Sequence, residues 1–454
     1  MKFNKYLTVL KEKLYDSIGF PFSDVINDDI IQQALKDEQI EYRQRLYTPM
    51  IILWAWIYQC LSEKNTCKNA VSKIISFIAQ CGVQTPSPNT SAYCKARKRI
   101  KEGVFLRLLK HTGKHLHNLD DLTWCGRRVI VADGSTITMD DTEDNQKEYP
   151  QPQSQEEGCG FPMANIVVLF CLKTGAVLEA IIGSLSIGEL NLFRRLYDYL
   201  QPGDIVLADR LYSSYADMCL LKARTLDGVF RLHARRKTDF QKGNILGVKD
   251  HIVTWSKPRC CPSGLEKSLF DRLPQSIVLR EIQYQVEVKG FRTRQVTIVT
   301  TLLDDKLYTK ESLAELYYMR WNVEIDLRYL KTTMQMEHIS CKTPEMVRKS
   351  FYVHLLAYNL VRMLMYQSSE DHDVSPLELS FSSSIVHLLN FGSLLAQADI
   401  YERQRLYKEL LYVISKERIL IRKGRVEPRL MKKRPKNYGW LKQPRKQLKE
   451  QLIA

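Results

Sequence analysis

The chain has 454 residues, more than one ordinary domain needs and enough to bury a large core. Lys and Arg number 67 against 51 Asp and Glu, and the net charge of +16 excludes an acidic protein and favours a polyanionic partner such as DNA, RNA or an anionic membrane. The eleven cysteines include no C-x-x-C pair, and the most apolar run, residues 50–60, is shorter than the roughly 20 residues that span a bilayer. We therefore expect reduced thiols, a cytoplasmic location and no membrane partner.

The first 120 residues have periodic apolar positions and few β-branched runs, which predict a helical N-terminal domain. A polar stretch at residues 85–90 interrupts it. The segment 92–107 carries a cluster of basic residues on a predicted helix, namely Lys95, Arg97, Lys98, Arg99 and Lys101. Two interpretations stay open, because such a helix lies either against DNA phosphates or in solvent as an ordinary charged face.

From residue 127 the chain changes to short apolar runs bounded by Gly or polar residues, as strands are: RRVIVADGS, ANIVVLFCL, AVLEAIIG and IVLAD. Helical spacing at residues 189–200 and 213–225 alternates with the later strands, which predicts a mixed α/β core. Residues 234–305 are polar and contain further strand-like stretches without helical periodicity. We interpret this segment as a β-rich insertion.

The C-terminal third is predicted to be helical at residues 309–336 and in a strongly apolar core helix at residues 350–366. The final 39 residues, 416–454, contain 14 Lys and Arg against 3 Asp and Glu. Three prolines, at positions 428, 435 and 444, prevent one continuous helix there. A basic and largely extended tail is expected.

Two aspartates follow apolar predicted strands, where carboxylates can leave a sheet and bind a metal ion. Asp133 ends RRVIVAD and precedes Gly134, and Asp209 ends IVLAD and precedes Arg210. Phosphodiester chemistry uses divalent metal ions, and magnesium takes oxygen ligands from a few carboxylates on separate elements. The alternative for an Asp before a Gly is an ordinary turn.

A narrow stripe of polar residues lies on the predicted helix LYYMRWNVEIDLRYLKTTM. At about 100° per residue, Tyr317, Arg320, Glu324 and Lys331 fall near 0°, −60°, −20° and −40°. The alternative is a charged face in which Glu pairs with Lys or Arg. Asp326 lies about 200° around the helix from Glu324, and we expect it to tolerate replacement by Asn.

The spacing Y-x2-R-x3-E-x6-K in that stripe resembles the signature of the insertion-sequence-4 family of bacterial DDE transposases. Asp133 in Asp-Gly-Ser resembles the first aspartate of the family, and Asp209 in Leu-Ala-Asp-Arg-Leu-Tyr resembles the second. The basic stretch 427–436, which begins Glu-Pro-Arg, is also similar to the family. The resemblance covers roughly residues 127–445.

The resemblance implies an α/β, RNase H-like catalytic core at residues 121–380 with the β-rich insertion at about 234–305. The helical domain 1–120 precedes it, and helices with the basic tail follow at 381–454. It implies metal ligation by Asp133, Asp209 and Glu324, with two magnesium ions for which manganese can substitute. It also implies that the DNA is held by a set of neighbouring side chains, namely Arg210, Tyr317, Arg320, Trp321 and Lys331.

By the same resemblance the partners are double-stranded DNA, as transposon ends and target, and a second copy of the chain in a synaptic complex in the bacterial cytoplasm at the nucleoid. Relatives carry an acidic pair after the second Asp, whereas Leu211 and Tyr212 follow Arg210 here, so a hairpin intermediate is left open. Trp255 and Phe291 are the candidates for an aromatic that stacks on unpaired DNA, with core burial as their alternative. Two other functions are considered, a repurposed DNA-binding protein without catalysis and a structure-specific nuclease.

Overall fold

The computed structural model describes residues 22, 25–43, 45–80, 85–118, 123–286, 295–419 and 441–453. The described N-terminal region is helical, as predicted, and contains α1 (Asp28–Asp37), α2 (Pro49–Leu61), α3 (Cys67–Gln80), α4 (Ser91–Arg99) and α5 (Glu102–His117). Local capping sets where two of these helices begin, because Asn27 and Thr48 accept the backbone N–H groups of Ile30 and Ile51.

Strands and short helices alternate in the middle of the chain. Up to residue 231 the elements are β1 (Val129–Met139), α6 (Glu143–Glu148), β2 (Met163–Cys171), β3 (Val177–Ser184), α7 (Glu189–Arg194), β4 (Ile205–Ala208), α8 (Tyr215–Ala223) and β5 (Asp227–Arg231). The predicted β-rich segment then contains β6 (Asn244–Gly247), β7 (Asp250–Ser256), α9 (Lys267–Arg272), β8 (Ser276–Gln285) and β9 (Gln295–Thr300). The strand-rich character predicted for this segment is confirmed.

The remaining described elements are mainly helical: α10 (Lys310–Met319), α11 (Trp321–Arg328), β10 (His338–Ile339), α12 (Pro344–His372), α13 (Phe381–Gln397), α14 (Ile400–Lys416) and α15 (Arg445–Ile453). The apolar helix predicted at residues 350–366 forms the buried centre of α12. Residues 420–440 of the predicted basic tail lie outside the described residues. The described end of that tail is helix α15, not the extended chain that we expected.

The strands form a large mixed sheet in the order β3-β2-β1-β4-β5-β9-β8-β7-β6. Three adjacent strands, β1, β4 and β5, are parallel, and β2 and β9 pair antiparallel on either side of them. The residues of β4 are all buried, as expected for a strand that is covered on both faces. Gly203 turns the chain into β4 with a φ of +94°, which lies in the region that favours glycine.

The β-rich insertion extends this sheet instead of folding apart from it. Strand β9 pairs with β5, and β8 and β7 follow as an antiparallel meander. The fully buried Arg280 donates two hydrogen bonds to Asp250, at 2.8 and 2.6 Å, and one to the Tyr308 carbonyl, at 2.6 Å. This paired and hydrogen-bonded charge ties the meander to the segment that leads into α10.

The chain forms two compact units that do not follow its order. We call residues 1–122, 173–179 and 322–419 the helical unit, and residues 123–172, 180–321 and 420–454 the sheet unit. In the helical unit α12 packs against α2, α5 and α14, which is why residues 322–419 group with the N-terminal helices. The domain division at residues 120 and 380 stays a prediction.

A buried ion pair lies inside the helical unit. Asp326 accepts a hydrogen bond from Arg362, and both side chains are almost fully buried. The Arg362 Nε donates to the Tyr358 hydroxyl at 2.8 Å, which donates to the Gly175 carbonyl at 2.9 Å. The expectation that Asp326 tolerates Asn considers only its position away from Glu324; in the structure, Asn would leave the buried Arg362 charge without its counterion.

Within the described residues, no helix is both long enough and apolar enough to cross a membrane.

Candidate active site

Asp133 on β1 and Asp209, the residue directly after β4, occupy equivalent positions along two neighbouring parallel strands. Val129 pairs with Ile205 and Val131 with Leu207, so continuing this register by two residues brings Asp133 level with Asp209. Strands in a sheet lie about 4.8 Å apart, which places the two aspartates side by side where β4 ends. Strand β1 does not end at Asp133 as we expected; it continues to Met139, and Asp133 faces Val168 of β2.

Local hydrogen bonds orient both carboxylates. Asp209 caps a short 3-10 turn, Arg210–Tyr212, and accepts the Leu211 N–H at 2.7 Å. Asp133 accepts the N–H of the next residue, Gly134, at 3.0 Å. The two side chains are therefore fixed by their own backbone and do not depend on distant partners for their orientation.

The electrostatics of the pair are those of crowded carboxylates. The pKa of Asp133 is raised to about 7, chiefly by burial; the charge of Arg320 and the Gly134 N–H oppose this rise, and the negative charges of Asp209 and Glu189 add to it. Like charges at close range disfavour simultaneous ionisation. A site of this kind favours a cation between its oxygens.

Glu189 is a third acidic side chain at this place, and it is absent from the candidate residues that the sequence predicts. Its Oε1 accepts a hydrogen bond of 2.6 Å from the hydroxyl of Tyr212, which is fully buried. Burial raises the pKa of Glu189, against the Tyr212 hydrogen bond, and the charge of Asp209 raises it further. A side chain at Gly134 would overlap the Glu189 carboxylate, since an added Cβ lies 2.1 to 2.5 Å from its atoms.

The sequence gives no signal that Glu189 lies beside Asp133 and Asp209. An acidic residue in the first turn of a helix is common because it interacts favourably with the helix dipole, and Glu189 opens α7 in that ordinary way. The place of Glu189 in the site is visible only in the structure, where its carboxylate lies against Gly134 of β1.

Arg320 lies at a break in the predicted helix that carries the Y-x2-R-x3-E-x6-K spacing. Helix α10 ends at Met319 and α11 begins at Trp321, and Arg320 between them keeps a helical conformation. Its side chain is 8% exposed, and its guanidinium lies 5.7 Å from the ring centres of both Tyr317 and Trp321. Because Arg320 acts on the pKa of Asp133, its charge lies close to the aspartate pair.

Tyr317 supports Arg320 from inside the sheet unit. The Tyr317 side chain is 1% exposed, and burial raises its pKa to about 12 against the opposing effect of Arg320. Its ring contacts that of Trp321 edge to face at 6.3 Å. In this structure Tyr317 is thus a packed neighbour of the arginine and not a surface group.

Glu324 and Lys331 belong to the helical unit. Glu324 is exposed on α11, whereas Asp326 two residues later is buried, which agrees with the opposite helix faces predicted for them. Lys331 lies in a π-helical turn, Tyr329–Thr333, and not in the regular α-helix that we expected. The angle expected for Lys331 in the stripe therefore does not apply, because a π turn has more residues than an α turn.

A cavity of about 630 Å³ lies beside Asp209 in the sheet unit. Its wall contains five basic residues, which are Arg210, His233, Arg235, Arg236 and Lys237. Ser213, Ser214, Leu211 and Tyr215 complete it, so none of the described residues that line this basic cavity is a carboxylate. A concave surface with several cations and no acidic group attracts anions such as nucleic-acid phosphates.

Trp255 of the insertion is a core residue. It is 4% exposed, its indole N–H donates to Glu281 at 2.8 Å, and the Arg236 guanidinium covers its ring at 3.5 Å. The stacking role considered for Trp255 is therefore not compatible with its position, since one face is covered and the edge is bonded. Phe291, the other candidate, lies outside the described residues.

Asp133 and Asp209 fit a divalent cation by donor type. Among the described residues, no three His, Cys, Asp or Glu side chains by themselves form a cluster that could hold a metal ion. The two aspartates nevertheless offer carboxylate oxygens, which magnesium prefers, and a dication would favour the charged form of Asp133, which burial disfavours. The sheet unit thus supplies two suitable ligands.

The sequence matches a family model and a known relative over much of its length. Residues 124–360, just over half of the chain, match the model of the family described as transposase DDE domain. The transposase InsG of insertion sequence element IS4 from Escherichia coli (strain K12) is 25% identical over 435 residues, covering 93% of this chain and 95% of that protein. A cryo-EM structure titled as a piggyBac transposase synaptic complex with hairpin DNA aligns at a TM-score of 0.43 and 8% identity, covering 88% of this chain and 85% of that one. The matched family model, the full-length relative and the Y-x2-R-x3-E-x6-K spacing together show that the protein belongs to the insertion-sequence-4 family of DDE transposases and is an enzyme that cleaves and joins DNA.

Proposed function

We propose that this transposase binds the inverted terminal repeats of an insertion sequence, cuts the DNA at both ends and joins the 3′ ends to target DNA. The observation that carries the proposal is the parallel register that sets Asp133 level with Asp209, with Arg320 near them. Parallel strands with an antiparallel neighbour on each side also support an RNase H-like catalytic core.

Asp133, Asp209 and Glu324 would hold the metal, with two magnesium ions or manganese in their place. Metal ions at such a site supply Lewis-acid polarisation of the phosphodiester and an activated water or DNA hydroxyl. Support for Glu324 comes from its place in the family spacing and from its exposure beside the buried Asp326.

The other residues of the site position the ligands and the DNA. Glu189, held by Tyr212, keeps negative charge beside Asp133 and fills the space that Gly134 leaves open. Arg320 presents a charged guanidinium near the aspartates, where a phosphate would lie, and Tyr317 and Trp321 hold it by flanking its side chain.

The DNA strand that leaves the aspartates would follow the basic cavity. Arg210 comes directly after Asp209 and lines this cavity with four further basic residues. Contacts of this type go to phosphates and fix the register of the DNA without reading its sequence. Lys331 would add a further phosphate contact, and one active site for each transposon end implies a homodimer in the synaptic complex.

A cleavage assay on duplexes that carry the flanking repeats of the element tests this function. We expect nicking and strand-transfer products with Mg²⁺ or Mn²⁺, and loss of both with Asp209→Asn. Glu315→Gln on the exposed face of α10 is the matched control and should leave both products unchanged.

The same assay distinguishes a transposase from the two other functions considered above. End binding without metal-dependent products would favour a repurposed DNA-binding protein. Cleavage of branched DNA without strand transfer, and without preference for the repeats, would favour a structure-specific nuclease. A hairpin intermediate would appear as a product of twice the strand length on a denaturing gel.

A further inference from the structure

Arg97 on α4 lies inside the helical unit, although the basic residues around it, Lys95, Lys98 and Arg99, are exposed. Its side chain is 5% exposed. Its guanidinium covers the Trp56 ring at 3.7 Å, and its Nη1 lies 3.1 Å from the Cys67 Sγ. Neither interpretation of the basic helix, a solvated face or a surface against DNA, predicts this position for Arg97.

The Arg97 charge is buried without an acidic partner. Among the described residues, no Asp or Glu forms an ion pair with Arg97, and its Nε is buried without a hydrogen-bond acceptor. The similarly buried Arg280 and Arg362 are each paired with an aspartate. Buried charges in proteins are normally paired, because leaving water is costly for an isolated ion. Arg97 thus lacks the counterion that the other two have.

A cavity of about 750 Å³ adjoins this guanidinium, and we call it the Arg97 cavity. Its wall also contains the basic Lys64 and Lys331 and the hydroxyl groups of Thr66 and Ser340. Among the described residues that line it, Glu337 is the single acidic one, and that side chain is exposed. The cavity therefore has a buried cation at its wall, two ammonium groups and neutral donors, which is the donor set that oxyanions require.

We propose that the Arg97 cavity binds a phosphate group, with a backbone phosphodiester of DNA as its source. A guanidinium and ammonium groups recognise the oxygens of phosphate, and hydroxyl donors complete such sites. The volume is far larger than one small anion needs, which leaves room for the sugars on either side of a phosphodiester. The choice of DNA rests on the proposed function, whereas the phosphate site itself does not.

Thermal unfolding with inorganic phosphate tests the anion site. At constant ionic strength, replacing chloride by phosphate should raise the Tm of the wild type, because a ligand that binds only the folded state stabilises it. Arg97→Met should lose this rise. Lys408→Met, which removes one exposed charge from α14 in the same unit, should retain it. An equal rise in Arg97→Met and wild type would overturn the proposal.

If Arg97→Met does not fold, a variant of the exposed Lys64 tests the same cavity. Lys64→Met removes a charge from the same cavity without opening the core, and it should reduce the rise in Tm on adding phosphate. Arg97→Lys keeps the charge and should retain part of it. If Lys64→Met and Lys408→Met respond to phosphate alike, the cavity does not bind the anion.

The salt dependence of duplex binding identifies the source of the phosphate. Removing one contact between a basic side chain and a DNA phosphate reduces the slope of log K against log salt by about 0.9, so Arg97→Met should show such a reduction and Lys408→Met should not. A rise in Tm that depends on Arg97, with an unchanged salt slope, would assign the site to free phosphate and overturn the DNA source. Asp209→Asn should keep both effects, so failure of the proposed catalysis is distinguishable from failure of this site.

Discussion

Two acidic side chains, one in each unit, show how neighbours decide what a buried carboxylate does. Burial raises the pKa of both Asp133 and Asp326. For Asp326 the next largest influence is Arg362, in direct contact, which favours the charged form. For Asp133 the charge of Arg320 is partly offset by those of Asp209 and Glu189.

On the proposed function, this difference separates the structural charge of Asp326 from the functional charge of Asp133. Asp326 has a fixed internal counterion that is bonded in turn to Tyr358, so its charge is neutralised within the fold. Asp133 shares its surroundings with Asp209 and Glu189, whose negative charges oppose the effect of Arg320. Strongly perturbed groups that the fold does not neutralise are the better candidates for a functional site.

The largest effect should come from the crowded carboxylates. Asp133→Asn, Asp209→Asn and Glu324→Gln should each reduce DNA cleavage by orders of magnitude, because an amide keeps the size but not the charge that magnesium requires. The triple variant should be hardly slower than a single one, since residues that act as a unit are not additive. Single-turnover cleavage with Mg²⁺ measures this.

The thermal stability of Asp133→Asn tests whether Asp133 differs from Asp326. Burial disfavours the charged form of Asp133 and raises its pKa to about 7, so Asp133→Asn should leave Tm unchanged or raise it at pH 8. A clear loss of Tm in Asp133→Asn would mean that the aspartate is structural, as Asp326 is, and would remove the distinction between the two.

The next largest effect should come from Asp326, the carboxylate that is paired with Arg362. Asp326→Asn should lower the free energy of unfolding by about 3 to 5 kcal/mol, because it leaves the buried Arg362 uncompensated. Chemical denaturation at pH 7 measures this. Replacing both partners, with Asp326→Leu and Arg362→Met, should recover much of the loss, whereas additive losses would show that the two charges do not interact.

A buried base in the helical unit extends the comparison to pH. Burial lowers the pKa of His354 to about 4; the Ser350 carbonyl opposes this, and the nearby charge of Arg97 adds to it. The unfolded imidazole takes up a proton near pH 6.5, so stability from neutral His354 is full above that pH and is lost as pH falls toward 4. The loss should reach about 3 kcal/mol.

Denaturant midpoints between pH 7 and pH 4 measure this effect against His354→Gln. The wild type should lose more stability than the variant over this range. Parallel pH profiles would show that His354 is protonated in the folded state as easily as in the unfolded chain.

The smallest effect should come from the support of Glu189. Tyr212→Phe removes one hydrogen bond, worth about 1 kcal/mol, and should slow cleavage about fivefold through a less well-placed Glu189. Tyr412→Phe at a half-exposed position is the control. Equal cleavage rates in both variants would show that Glu189 does not need Tyr212 for its part in the site.

The sequence by itself determined the local structure and the candidate ligands. Apolar periodicity located the helical N-terminal region, the central strands and the core of α12, because these patterns follow from which face of an element is buried. The Asp at the end of IVLAD and the spacing from Tyr317 to Lys331 were visible without coordinates, since each signal lies within a short segment.

Only the tertiary structure decided which charges meet. The register of β1 and β4, the approach of Glu189 to Gly134 and the pairing of Asp326 with Arg362 join residues 36 to 76 positions apart, and no local pattern encodes such distances. Arg97 shows the same limit, because a helix wheel of basic residues does not tell which of them turns inward onto Trp56. Burial and the sign of neighbouring charges are properties of the packed chain, and they determine whether a charged side chain stabilises the fold or is left to bind a ligand.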